Sequence, residues 1–305
     1  MGDIYSLTAR CSDGDDRTGV LTPQVFRIHE FALEETRDEI RVSVRCSCEP
    51  YGSSLMQVFA RCFPEASVHA GRKTIAALFE NRGEFVFSGE LPSTGELIRT
   101  LDIMKEALTV RDAADVSHCL DLYKLPDDDI PPDDWPYTDV GHLMYRAKYW
   151  HNRPSAVKIG NRLIDLIRRH PAISRAQVVC AMPTSGSGKH FDSPRLWSHT
   201  IASQLGIHSV DLVRTRPVVQ QKAIGSFEER ARNQLASMEC DDLGGATALV
   251  VDDLYMSGET MKEAVRALCI AGAADVFALC AVKTATGTQG GVHGLMPLTP
   301  ESGSS

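Results

Sequence analysis

The segment Ala248-Leu249-Val250-Val251-Asp252-Asp253-Leu254-Tyr255-Met256-Ser257-Gly258-Glu259-Thr260 constrains this chain more than any other. Leu249 to Val251 form a short, continuous apolar run, the pattern of a parallel strand covered on both faces. Met261, Ala264, Val265, Leu268 and Cys269 recur three and four residues apart, which predicts an amphipathic helix that stops near Gly272. Between strand and helix lie Ser257, Gly258 and Thr260, hydroxyls and backbone N–H groups at a helix N-terminus, where open donors and the macrodipole favour a phosphate. Asp252 and Asp253 end the strand, and two adjacent carboxylates are costly unless a polyol or a cation satisfies them. A sugar phosphate fits both halves.

Four apolar residues, two acids, a short variable stretch and a hydroxyl-Gly-x-Thr loop resemble the ribose-phosphate signature of the type I phosphoribosyltransferases. Ser257 stands where that family usually has threonine. The resemblance implies that Asp252 and Asp253 hold the ribose hydroxyls of phosphoribosyl pyrophosphate. It further implies that Tyr255, Met256, Ser257, Gly258, Glu259 and Thr260 surround the 5'-phosphate. Met256 occupies the position where 6-oxopurine salvage enzymes of the family place an aspartate, which argues against hypoxanthine or guanine as substrate.

The upstream sequence supplies further elements of a doubly wound, mostly parallel α/β sheet. Ala176 to Met182 reads as a buried strand ending at Pro183, Arg195 to Leu205 as a helix closed by Gly206, Ser209 to Val213 as a strand, and Val276 to Val282 as a final strand. In such sheets ligands sit beyond the C-terminal ends of the strands. The loop after the first of these strands carries Ser185, Gly186, Ser187, Gly188 and Lys189. It misses the phosphate-loop pattern of nucleotide hydrolases, because Pro183 stands where glycine is needed and His190 where a hydroxyl is needed. A glycine-rich loop with a lysine still suits a pyrophosphate, and the family resemblance gives it that role.

From Arg214 to Gln221 the chain is cationic and amide-rich with little periodicity, which suits a lid over an anionic substrate. Ser226 with Glu229 makes a capping box that starts a helix bearing Arg230 and Asn233 on one face. A Gln followed by Glu-Arg-x-x-Asn, together with Met144-Tyr145-Arg146-Ala147-Lys148-Tyr149 upstream, resembles the ComF family of phosphoribosyltransferase-like proteins. Together these matches span residues 142 to 284. Two departures stand out. The four-cysteine zinc ribbon of that family is missing, and Cys46 and Cys48 read as ordinary thiols. Its Arg-Gly-x-Asn-Gln after the proline loop is replaced by His190-Phe191-Asp192-Ser193-Pro194.

Composition fits a cytoplasmic protein. Nine cysteines without a framework spacing point to reduced thiols, no apolar run approaches a membrane span, and a net charge of -8 gives no footprint for nucleic acid. A proline- and aspartate-rich stretch over 126–139 reads as a linker. Before it, Ile40 to Cys46 alternates like a strand, Leu55 to Phe63 and Ile98 to Leu108 read as helices, and Glu84 to Phe87 as a strand. Residues 1–125 are thus expected to form a separate α+β module, residues 140–284 the phosphoribosyltransferase-like domain, and residues 285–305 a flexible tail. His29, His69 and His118 are scattered and carry no ligand pattern.

What the resemblance implies is a protein that binds phosphoribosyl pyrophosphate and transfers the phosphoribosyl group to a nitrogen nucleophile. Mg2+ is the expected cofactor, held through the bound ligand rather than by a protein cage. Lys222 and Arg230, with Lys189, would stabilise the departing pyrophosphate, while Asp252 and Asp253 fix the ribose. The alternative is a non-catalytic sensor or partner-binding module of the ComF kind. A homodimer is compatible with either reading.

Overall fold

The computed structural model describes residues 23–47, 52–71, 81–127, 129–184, 192–217 and 234–285. In chain order the strands are β1 (Gln24–Phe26), β2 (Ile28–Glu35), β3 (Glu39–Cys46), β4 (Ala66–Ala70), β5 (Arg82–Gly89), β6 (Leu108–Arg111) and β7 (Val116–Leu122), then β8 (Val178–Ala181), β9 (His208–Ser209), β10 (Leu212–Arg214), β11 (Met238–Cys240), β12 (Ala248–Tyr255) and β13 (Val276–Lys283). The helices are α1 (Gly52–Cys62), α2 (Thr94–Glu106), α3 (Asp139–Tyr149), α4 (Arg153–Arg169), α5 (Ser193–Leu205) and α6 (Glu259–Ile270).

Seven strands form one sheet in the order β1-β6-β7-β13-β12-β8-β9. The five from β7 to β9 are mutually parallel, and β6 and β1 extend the β7 edge antiparallel. From β8 the chain winds through α5 to β9 at one edge, whereas from β12 it winds through α6 to β13 on the other side. The crevice between the C-terminal ends of β8 and β12 is therefore a topological switch point.

Alternation along the central strands explains why both faces are covered. Leu249, Val251, Phe277 and Leu279 point into a core shared with Trp197 and Ile201 of α5 and with Ile159 and Leu163 of α4. Ala248, Val250, Ala278 and Cys280 point the other way, against Met261, Ala264, Val265 and Leu268 of α6. Every residue from Ala248 to Val251 is fully buried, as its unbroken apolar run predicts.

The N-terminal half builds a second, antiparallel sheet in the order β2-β3-β5-β4, backed by α1 and α2. This is the expected α+β unit, with two additions. Its last strands, β6 and β7, join β1 in the large sheet, so the sheet runs across the boundary expected at residue 125. Ile40, Val42, Leu55 and Phe59 also belong to the same core as one face of that sheet. The stretch expected as a linker folds back on itself: Lys124 pairs with Tyr137, and the Trp135 indole N–H donates to the carbonyls of Asp127 and Ile130.

Several boundaries move for local reasons. Helix α2 starts where Ser93 accepts from the Glu96 amide, but it stops at Glu106 because Ala107 turns extended (φ -112°, ψ 157°) and feeds β6. The strand expected over 209–213 is two short pieces in different sheets, β9 beside β8 and β10 paired with β11. Helix α5 does end at Gly206, which takes the left-handed conformation (φ 69°). Among the described residues the cysteines, Cys46 included, form no disulfide, Cys48 lies outside those residues, and no described helix is long and apolar enough to cross a membrane.

Candidate functional site

A cavity of about 480 Å³ opens at the switch point. The end of β8 contributes Met182 to Thr184, the start of α5 Asp192 to Pro194, and β12 with its loop Asp252 to Gly258, Thr260 and Met261. Met144, Lys148 and Tyr149 of α3, with His151, close another side, and Arg214 and Gln234 a further one.

The two acids behave differently. Asp252 is half-buried at the end of β12, and its Oδ1 accepts the Asp253 amide at 2.7 Å. Burial, reinforced by the Asp253 carboxylate, pushes the Asp252 carboxyl up to about 7. Asp253 instead has an ionic partner, the Lys148 ammonium, whose Nζ lies 3.1 Å from Oδ2. Burial works to lower the Lys148 ammonium, but the Asp253 carboxylate outweighs it, and the net shift is upward. The arrangement can accept hydrogen bonds from vicinal hydroxyls while one proton and one lysine limit the repulsion.

The loop keeps its donors open. Helix α6 begins at Glu259 with Gly258 at the N-cap, left-handed at φ 86° and ψ -10°, and no side chain caps the helix. Its first amides therefore lack a side-chain cap beside a cavity that Gly258 and Thr260 line, where an anion can take them. A Cβ on residue 258 would stand 2.5 Å from the Tyr255 hydroxyl and 2.7 Å from Pro23 Cγ. Both the backbone conformation and the space below require glycine. Tyr255 is buried beneath the loop, and Glu259, also buried, has its carboxyl raised chiefly by burial.

Arg214 supplies positive charge opposite the acids. Its Nη1 donates to Gln234 Oε1 at 3.1 Å and to Ser237 Oγ at 3.4 Å, which fixes the guanidinium at the end of β10. Burial lowers its proton affinity, so a bound anion would be favoured there.

Of the residues singled out from sequence, Asp252, Asp253, Tyr255, Met256, Ser257, Gly258 and Thr260 line this one cavity, and Glu259 sits in the first turn beneath it. Ser185, Gly186, Ser187, Gly188, Lys189, Lys222 and Arg230 lie outside the described residues. Lys148 and Gln234 enter the site without having been assigned a role from sequence, and Arg214 enters it from the start of the stretch read as a lid. Lys148 does sit within the Lys-Tyr stretch of the ComF resemblance, and Arg214 opens the cationic stretch after a strand, so each had a signal.

No protein-family model matches the chain, and no curated protein does. Among solved structures, it is similar to a purine phosphoribosyltransferase from Pyrococcus horikoshii at 14% identity, over 42% of this chain and 72% of that one, with a TM-score of 0.28. An adenine phosphoribosyltransferase from Leishmania tarentolae aligns at 13% identity over 57% of this chain and 93% of its own, with a TM-score of 0.32. The adenine phosphoribosyltransferase of Trypanosoma brucei, solved with AMP, pyrophosphate and ribose-5-phosphate, aligns at 13% identity over 60% and 81%, with a TM-score of 0.30.

Proposed function

We propose that this protein binds phosphoribosyl pyrophosphate at the switch-point cavity and transfers its phosphoribosyl group to a nitrogen nucleophile, releasing pyrophosphate. One observation carries the reading: a carboxylate pair and an uncapped glycine-containing helix start, eight residues apart at most, share one cavity at the end of β12. Few ligands other than a sugar phosphate call for vicinal acceptors and a phosphate cradle at that separation.

Each residue has a defined task. Asp252 and Asp253 accept the ribose hydroxyls and hold the sugar while its anomeric carbon gains positive charge, a positioning role. The amides that begin α6, with the Ser257 and Thr260 hydroxyls, bind the 5'-phosphate. Arg214, on the same cavity, would stabilise the charge that develops on the departing pyrophosphate. Lys148 pairs with Asp253 and orients its side chain. Among the described residues no group of three or more His, Cys, Asp or Glu side chains could cage a metal. The cofactor proposed is Mg2+ held mainly through oxygens of the ligand, its usual manner with nucleotides and related substrates. Bound there, the cation would supply charge neutralisation for the leaving pyrophosphate.

Calorimetry of phosphoribosyl pyrophosphate with and without Mg2+ tests the ligand. The wild type is expected to bind, and a protein carrying Asp252→Asn and Asp253→Asn to bind at least tenfold more weakly. Equal affinity in the two proteins sinks the assignment. A pyrophosphate-release assay across a panel of nucleobases then tests transfer, and silence across the panel with binding intact favours a ligand sensor.

A further inference from the structure

Behind the phosphate loop lies a lysine that the proposed chemistry does not use. Lys283, the last residue of β13, is fully buried. Its Nζ donates to the Thr284 carbonyl at 2.6 Å and sits 5.7 Å from the centre of the Tyr255 ring. Tyr255 is its register partner on β12, and the Thr284 amide donates back to the Tyr255 carbonyl at 3.0 Å. The Tyr255 hydroxyl in turn lies directly beneath Gly258. A cation is thus placed one aromatic ring away from the start of α6, on the sheet face that α6 covers.

We propose that Lys283 is the electrostatic backing of the phosphate loop, strengthening the hold on a sugar 5'-phosphate when charged and releasing it when neutral. The inference rests on the reading of Ser257 to Thr260 as a phosphate site. Its physical basis is the weak screening of charge in a buried layer: an ammonium behind the loop and a dianion in front of it attract through protein rather than water.

The surroundings single out Lys283 as the group that titrates. Burial is the main cause that brings its ammonium down to about 8. Facing it are Tyr255 from β12, Cys119 from β7 and Cys280 from its own strand, and Asp112 lies against the Tyr255 phenol. The Tyr255 phenol and the Cys280 thiol are both driven well above their ordinary values, first by burial, so they stay neutral through this range. Asp252, with its carboxyl near 7, is already ionised above pH 8, and the net upward shift of Lys148 keeps it charged. The ligand's phosphate is a dianion throughout, because its second proton leaves near pH 6.

A bound dianion favours the protonated lysine, so binding must take up protons just above the pH at which Lys283 loses its own in the protein without ligand. The sign follows from linkage: the Lys283 contribution to affinity is level below pH 8 and falls above it. Ribose 5-phosphate is the probe, titrated calorimetrically into the full chain from pH 7.5 to 9.5, with two buffers of different ionisation enthalpy at pH 8.5. The expected result is uptake of a fraction of a proton at pH 8.5 and a Kd about tenfold higher at pH 9.5 than at pH 7.5. Lys283→Met is expected to bind about tenfold more weakly at pH 7.5, with no proton uptake and no pH step, whereas Cys119→Ala keeps both. Should the methionine variant fail to fold, the proton count on the wild type stands alone. Binding without uptake and without a pH step overturns the proposal, as does a step that survives in Lys283→Met. No binding of ribose 5-phosphate at any pH overturns the phosphate-site reading beneath it.

Discussion

Gly258 and Asp252 show how much single positions decide. At Gly258 a left-handed backbone and a tyrosine hydroxyl below it exclude every side chain. Gly258→Ala is expected to cost about 1–3 kcal/mol in chemical denaturation and to weaken ribose 5-phosphate binding, because the loop must move; unchanged values for both contradict the geometry. Asp252 makes a pH-dependent prediction. Its folded-state carboxyl is raised to about 7, from an ordinary value near 3.8. The folded protein therefore holds a proton that the unfolded chain has already released, and stability falls as pH rises from 4 through 7. Asp252→Asn removes that loss, so it is expected to be more stable than the wild type by about 2 kcal/mol at pH 8 and equal to it at pH 4. Denaturant midpoints at the two pH values check this, and a less stable variant at pH 8 refutes it. The acids and the loop were legible because strand, acids and helix start are contiguous in sequence. Lys148 and Arg214 lie 105 and 38 residues from the acids they serve, and only the folding of α3 and β10 against β12 brings them there.

Elements were legible where periodicity and capping agreed. Helix α6 and strands β12 and β13 follow the pattern of their residues closely. Strand β7 was missed because its sequence, Val-Ser-His-Cys-Leu-Asp-Leu, places polar residues inside. The reason for the buried His118 lies in another element: its Nε2 is 3.1 Å from Nε2 of His170, the C-cap of α4. His170 Nδ1 accepts from the amides of Ala172 and Ile173, so its Nε2 carries the proton and donates to His118. Burial brings the His118 imidazole down to about 4, and burial with the His118 charge lowers His170 further. A folded imidazole that resists protonation loses stability as pH falls from 6.5 toward 4, on the order of 2–3 kcal/mol for His118. Melting temperatures of wild type and His118→Gln over that window are expected to converge as the pH drops, since only the wild type carries the cost of charging this pair. A constant gap contradicts the pairing. The strand expected over 209–213 failed for a related reason, since two short strands that pair in different sheets leave no continuous alternation to read.

At the scale of the whole molecule, the α/β alternation after residue 176 fixed the class of the sheet but not its width. Strands β1, β6 and β7 join from the N-terminal half, and β7 lies directly beside β13. Parallel pairing between residues 116–122 and 276–283 is set by tertiary packing, and no local pattern announces it. The consequence is functional as well as architectural. The residues packed behind the loop that starts α6, Pro23 just before β1 and Cys119 of β7 beside Lys283, come from the half of the chain in which no site was expected. The central claim is that one cavity at the end of β12 holds a sugar phosphate by its hydroxyls and its phosphate together. Titrating isotopically labelled protein with ribose 5-phosphate and following backbone amide resonances tests this most directly. The account predicts the largest shifts at Asp252, Asp253 and Ser257 to Met261; shifts concentrated elsewhere, or none at millimolar ligand, would contradict it.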